Sequence, residues 1–145
     1  MTIARVLAQR APAHSVVTAR AGEPARACIA RLAEHRIGAV PVLDEQGGVI
    51  GIFSERDVIY RLVAEGAALL DRPVGEVMTS PAISVDTATG VLEALGLMTR
   101  RRIRHLPVIE GGELVGFVSI GDLVKHRMDS IADEAQAMMS YIQSA

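Results

Sequence analysis

From Pro24 onward the apolar positions recur at helical spacing and then give way to short unbroken runs. Ala25, Cys28, Ile29, Leu32 and Ala33 fall at i, i+3, i+4, i+7 and i+8. That is the stripe of an amphipathic helix over 24–36, and Pro24 suits its first turn. Next come Ala39 to Leu43 and Val49 to Phe53, two apolar runs around Gln46-Gly47-Gly48. They predict a β-hairpin, because glycine tolerates the positive φ of a tight turn. Pro41 has no amide hydrogen and belongs at a sheet edge or strand end. A helix then starts at Ser54, with Val58, Ile59, Leu62 and Val63 as its expected apolar side, and Val16-Val17-Thr18 reads as a short strand before the first helix. The unit is strand, helix, strand, strand, helix.

The same unit is written a second time. Ile37-Gly38-Ala39-Val40-Pro41 returns as Ile103-Arg104-His105-Leu106-Pro107, a shift of 66 positions. Gly51-Ile-Phe-Ser54-Glu-Arg56-Asp57 returns as Gly116-Phe-Val-Ser119-Ile-Gly121-Asp122, a shift of 65. The lost residue falls at a glycine turn, Gly111-Gly112, where deletion costs least. Val91, Ala94, Leu95, Met98 and Thr99 repeat the helix stripe, Ala82-Ile83-Ser84 repeats the first strand, and Leu123 and Val124 repeat the last helix face. Val74-Gly-Glu-Val-Met78 matches Ile3-Ala-Arg-Val-Leu7, so each copy is expected to open with a short helical lead-in. From Asp129 on, Ile131, Ala135, Met138, Met139 and Ile142 keep helical spacing, predicting a C-terminal helix that packs on the pair or on a second chain. A period this long means two copies of one structural unit. The expected fold class is α+β, with two pseudo-two-fold-related β-α-β-β-α units over 10–72 and 73–128 and a helical extension over 129–145.

Composition narrows the functional classes. Half of the 145 residues are hydrophobic, so a packed core is expected rather than disorder, while aromatics are only 3% and the core must be aliphatic. That scarcity argues against base-stacking recognition of single-stranded nucleic acid, and a net charge of −2 gives no pull toward nucleic acid or an acidic membrane. The lone cysteine, Cys28, excludes an internal disulfide and sits on the helix stripe as a small core residue. The opening apolar run is too short for a signal peptide, and no run approaches the roughly 18 residues of a membrane span. A cytoplasmic protein is expected.

The repeated polar residues are Ser54-x-x-Asp57 and Ser119-x-x-Asp122. A serine N-cap with a carboxylate three residues on satisfies orphan amides and suits the helix dipole with no ligand at all. An exposed helix start also favours phosphate, and a nearby carboxylate suits a vicinal diol. Both readings stand on the residues alone. In the run Arg100-Arg101-Arg102-Ile103-Arg104, Arg100 and Arg101 read as a solvated helix end. Arg104, leading into a strand with His105, is the better phosphate ligand, because a guanidinium binds phosphate bidentately. Gly47-Gly48 and Gly51 lack the strand-to-helix spacing of a phosphate loop. His14, His35 and His126 show no metal spacing, and no Ser/His/Asp or Cys/His set is visible, so an enzyme is not expected.

Gly-Ala-Val-Pro-Val, Gly-Ile-Phe-Ser-Glu-Arg-Asp, Arg-His-Leu-Pro-Val and Gly-Phe-Val-Ser-Ile-Gly-Asp, in this order, resemble a pair of CBS domains, the Bateman module, over residues 10 to 128. With no catalytic domain attached, the chain is similar to the small stand-alone bacterial CBS-pair proteins. The resemblance implies two clefts for adenine nucleotides (AMP, ADP, ATP or an NAD-like dinucleotide) as regulatory ligands, with no catalytic cofactor, and a flat homodimer acting on a regulated protein. It implies that Asp57 and Asp122 accept the ribose hydroxyls and that Ser54 and Ser119 contact phosphate or ribose. Arg104 and His105 match basic phosphate-binding positions, which Gly38 and Ala39 hold in the first copy. Val16, Val17 and Thr18, with Ala82 and Ile83, match the strand residues that pack on adenine. Arg56 has only Gly121 as counterpart, so the two clefts are expected to differ in ligand preference. The alternative is a protein-interaction adaptor with vestigial clefts and a recruiting C-terminal helix.

Overall fold

Both helix stripes form as their spacing predicts, and the copies agree in detail. The computed structural model describes residues 1–10 and 15–144, and His14 lies outside them. Its elements run α1 (Ile3–Ala8), β1 (Ala19–Arg20), α2 (Ala25–His35), β2 (Ala39–Leu43), β3 (Val49–Ser54), α3 (Glu55–Glu65), a 3-10 turn (Gly66–Asp71), α4 (Val74–Val77), α5 (Val91–Arg101), β4 (His105–Glu110), β5 (Glu113–Ser119) and α6 (Ile120–Ser144). Helix α2 buries Ala25, Cys28 and Leu32, and α5 buries Val91, Ala94 and Met98. Ala33 and Thr99, the expected last members of each stripe, are exposed. Each helix ends on an arginine in the left-handed region, Arg36 at φ 53° and Arg102 at φ 54°, a turn that redirects the chain into the hairpin.

Each hairpin is antiparallel, with Ala39 opposite Ser54 in β2–β3 and His105 opposite Ser119 in β4–β5. The strands expected at 16–18 and 82–84 lie further on. Pairing begins at Ala19, parallel to Val42, and in the second copy a single bridge joins Val85 to Val108. Ala19 and Val85 are equivalent positions, both buried. Pro107 offers a carbonyl but no amide, so Val85 takes the Pro107 carbonyl at 3.0 Å and gives its own carbonyl to the Ile109 amide at 2.8 Å.

The lead-ins are exchanged between the copies. Ile3 and Val6 of α1 belong to the core of the second copy, with Val91, Met98, Leu106 and Leu123. Val74 and Val77 of α4 belong to the core of the first, with Cys28, Val40 and Phe53. Matching backbone bonds tie them in: Ile3 N to Thr89 O at 2.9 Å, and Val74 N to Glu23 O at 2.8 Å. Gly51 and Gly116 leave room for them. A Cβ on Gly51 would lie 2.5 Å from Met78 Sδ and 2.8 Å from the Thr79 carbonyl; one on Gly116 would lie 2.7 Å from Leu7 Cδ2.

This exchange corrects the expected face of α3. Only Val58 of the four named residues packs on the core, while Ile59, Leu62 and Val63 are exposed. Leu69 of the 3-10 turn and the arriving Val74 and Val77 close that core instead. Val124 is exposed for the same position in the second copy, beside the fully buried Leu123. Helix α6 runs unbroken through Asp129, so the expected extension is one piece with the last helix of the second copy. Its residues 131–144 are exposed; near its start Ala132 and Asp133 border a groove against Arg5 and Gln9 of the N-terminal lead-in, and the rest matches the second-chain branch of that expectation.

Candidate functional site

Ser54 closes β3 in extended conformation and caps α3, so the chain turns there from strand to helix. The Asp57 amide donates to Ser54 Oγ at 3.3 Å, and Asp57 Oδ2 accepts from the Ser54 amide at 2.9 Å and from its hydroxyl at 3.1 Å. That is a reciprocal capping box. The outer oxygen, Oδ1, accepts from Thr79 Oγ1 at 2.8 Å. The second copy repeats the box, with the Ser119 amide on Asp122 Oδ2 at 2.8 Å and the Asp122 amide on Ser119 Oγ at 3.1 Å. The capping role of Ser-x-x-Asp is therefore real in both copies.

A cleft of about 570 Å³ opens over the first box, at the seam between the copies. The first copy contributes Gly38, Ser54, Arg56 and Asp57, and the second Ala82, Ile83, Arg104 and His105. Ile52, Ile59 and Ile103 complete an apolar wall, while Arg101 and Arg102 add cations at the rim. Arg101 is thus a cleft residue and not only a solvated helix end. The left-handed turn at Arg102, which no local pattern marks, brings the run over the cleft. Arg56 reaches across the seam and donates to the Arg102 carbonyl at 3.2 Å. Four arginines face two carboxylates, Glu55 and Asp57, in one concavity. Such a site suits a planar apolar body carrying a diol and an anionic group.

The remaining candidates lie elsewhere. Val16 and Thr18 line a separate groove between the two hairpin turns, with Gly47, Gly48 and Gly112. Val17 packs on the first core, and Ala39 is buried opposite Ser54, leaving Gly38 to line the cleft. Ser119 and Asp122 stand apart, and the carboxylate of Asp122 is held by Arg10, at 2.9 Å. Sequence reasoning missed both Arg10 and Thr79, because each meets its aspartate only through the exchanged lead-ins. His105 stacks on Phe117, ring centroids 5.5 Å apart and 10° from parallel. Burial pushes its pKa below the usual histidine range, with Arg104 adding to the effect, while Glu55 and Asp122 pull the other way. Burial likewise pushes the Cys28 thiol up to about 11, an inert core group. Among the described residues no helix is long and apolar enough to cross a membrane, and no three His, Cys, Asp or Glu gather as a metal site.

Comparison with known proteins agrees with this architecture. The family model for the CBS domain matches residues 8–64 and 74–129. The CBS domain-containing protein CBSX3, mitochondrial, of Arabidopsis thaliana is 38% identical over 116 residues, covering 77% of this chain and 56% of that protein. This chain thus spans little more than half of that relative. The crystal structure of a CBS-domain containing protein from Agrobacterium tumefaciens superposes with a TM-score of 0.81 at 36% identity, covering 87% of this chain and 92% of the other. Two more distant structures share the fold at 21% identity. CBSX2 in complex with AMP has a TM-score of 0.69, covering 86% of this chain and 96% of its own. The CBS domain pair of protein MJ0100, in complex with 5'-methylthioadenosine and S-adenosyl-L-methionine, has a TM-score of 0.75, covering 90% and 98%. An α+β pair built twice on one plan, with both copies matched by one family model, places the chain in the CBS-domain family.

Proposed function

We propose that this chain is a regulatory module that senses an adenine nucleotide in the cleft between its two copies. The observation that carries the reading is the meeting, across one cleft, of the Ser54–Asp57 box with Arg104, His105 and the Ala82–Ile83 wall. In this reading Asp57 accepts the ribose hydroxyls in place of Thr79, Arg56 and Arg104 hold phosphate, and Ala82 and Ile83 pack on adenine. AMP on CBSX2, and adenosine derivatives on the MJ0100 pair, support the ligand class. Bound nucleotide acts by shifting the population of two arrangements of the copies, to the extent that it binds one better. The proposal assigns binding and not turnover, since the Ser54 hydroxyl is committed to Asp57. It sets the module in the cytoplasm as a homodimer acting on a regulated protein, and the exposed Leu62 and Val63 of α3 and Met128 and Ile131 of α6 support such pairing.

Calorimetry with AMP and adenosine tests this. Asp57→Ala should weaken both ligands, through the ribose. Arg104→Ala should weaken AMP by about 1.5–3 kcal/mol, the worth of a charged hydrogen bond, and leave adenosine nearly unchanged. No AMP binding at millimolar concentration, or equal losses for both ligands with Arg104→Ala, would contradict the assignment. The second reading, an adaptor, is favoured by the exposed apolar residues of α6, Met138, Met139 and Ile142. It requires a partner whose affinity ignores both AMP and Asp57→Ala.

A further inference from the structure

The two capping boxes differ in the donor that the exchanged lead-in brings to each aspartate, and in the oxygen it takes. Asp57 Oδ1 accepts from a neutral hydroxyl, Thr79 Oγ1, at 2.8 Å. Asp122 Oδ2 accepts from the guanidinium of Arg10, Nη2, at 2.9 Å, while Nη1 of the same group donates to the Phe117 carbonyl at 2.9 Å. The two donors arrive by equivalent routes, Thr79 just after α4 and Arg10 just after α1. Leu7 and Met78 mark the equivalence, each seated against the matching glycine, Gly116 or Gly51. The first route is longer, with nine positions from Leu7 to Val16 against four from Met78 to Ala82. Arg10 is the third residue after Leu7 and Thr79 the first after Met78, so the two routes deliver different donors to their aspartates.

The consequence is chemical. A ribose diol brings neutral hydroxyls. At Asp57 it exchanges one neutral donor for others. At Asp122 the guanidinium shares Oδ2 with the Ser119 amide, at 2.9 and 2.8 Å; a diol that takes that oxygen must displace a charge-assisted bond, roughly twice as strong as a neutral one, and leave the Phe117 carbonyl without Arg10. The Arg10 side chain is 18% exposed and that of Asp122 44%, so solvent screens the pair in part. The second anchor on Phe117 fixes the guanidinium all the same. We infer that Arg10 determines which cleft takes nucleotide: it occupies the Asp122 box, and the module binds one nucleotide per chain, at Asp57.

This inference rests on the nucleotide-binding reading of the Asp57 cleft, and the stoichiometry of AMP binding separates the two. Calorimetry should give one AMP per chain for the unaltered protein, none at millimolar AMP for Asp57→Ala, two for Arg10→Ala, and one for the double variant Asp57→Ala/Arg10→Ala. Arg10→Gln keeps an amide donor for the Phe117 carbonyl and removes the charge, so it should also expose the second site. Two AMP on the unaltered protein, one on both Arg10 variants, or none on the double variant while the unaltered protein binds would each overturn the role of Arg10. Weaker AMP binding by Arg10→Ala would also overturn it, making Arg10 a phosphate ligand. No binding by the unaltered protein but one AMP on the double variant would uphold Arg10 and overturn the Asp57 site. No binding by any variant would overturn both.

Discussion

His105 stands between the starts of two helices, stacked on Phe117, with Glu55 at the head of α3 and Asp122 in the first turn of α6. Its lowered pKa links stability to pH in a definite direction. Between that value and the ordinary one of about 6.5, the unfolded chain binds a proton that the folded chain does not. Stability therefore rises with pH through this window, is complete above about 6.5, and is lost as pH falls toward the lowered value. Thermal melts from pH 7.5 to 5.5 should show a larger fall in Tm for the unaltered protein than for His105→Gln. Parallel falls would show that His105 does not carry this linkage. At the same scale, Ser-x-x-Asp was legible as a capping box because both members lie within one turn. Arg10 was not legible as the partner of Asp122, since the two stand 112 positions apart and meet only through the packing of α1.

At the scale of elements, the helices and hairpins could be read because periodicity and glycine turns are local signals. The strands at 16–18 and 82–84 were placed too early. In the second copy the pairing starts where Val85 meets the Pro107 carbonyl, a partner on another strand that no local pattern marks, and Ala19 holds the matching place against Val42. The apolar side of α3 was misread because another part of the chain fills the core it was expected to cover. The glycines that seat the lead-ins give the sharpest test at this scale. Gly51→Ala drives a methyl into Met78 Sδ and the Thr79 backbone carbonyl, whereas Gly116→Ala meets only the terminal carbons of Leu7. Gly51→Ala should cost about 1–3 kcal/mol in chemical denaturation, and Gly116→Ala less, since the end of a leucine can move. Gly22→Ala, with open space around it, should stay within about 0.5 kcal/mol of the unaltered protein. Equal costs at Gly51 and Gly22 would contradict the docking of α4 against β3.

At the scale of the whole molecule, the duplication was plain from the repeat, but the exchange of lead-ins was not. A period states that two units exist; it does not state which unit each lead-in packs against. The exchange joins the copies through both cores, since the first core needs Val74 and Val77 and the second needs Ile3 and Val6. It also brings Thr79 to Asp57 and Arg10 to Asp122, so the same packing that unites the molecule makes its two boxes unequal. The central claim is that nucleotide binds at the seam, on Asp57 from one copy and Arg104 from the other. The most direct measurement is a crystal structure of the protein grown with AMP. It should show ribose hydroxyls on the Asp57 carboxylate, phosphate between Arg56 and Arg104, adenine against Ala82 and Ile83, and Arg10 still paired with Asp122. AMP bound at Asp122, with Thr79 still on Asp57 and the seam cleft unfilled, would contradict it.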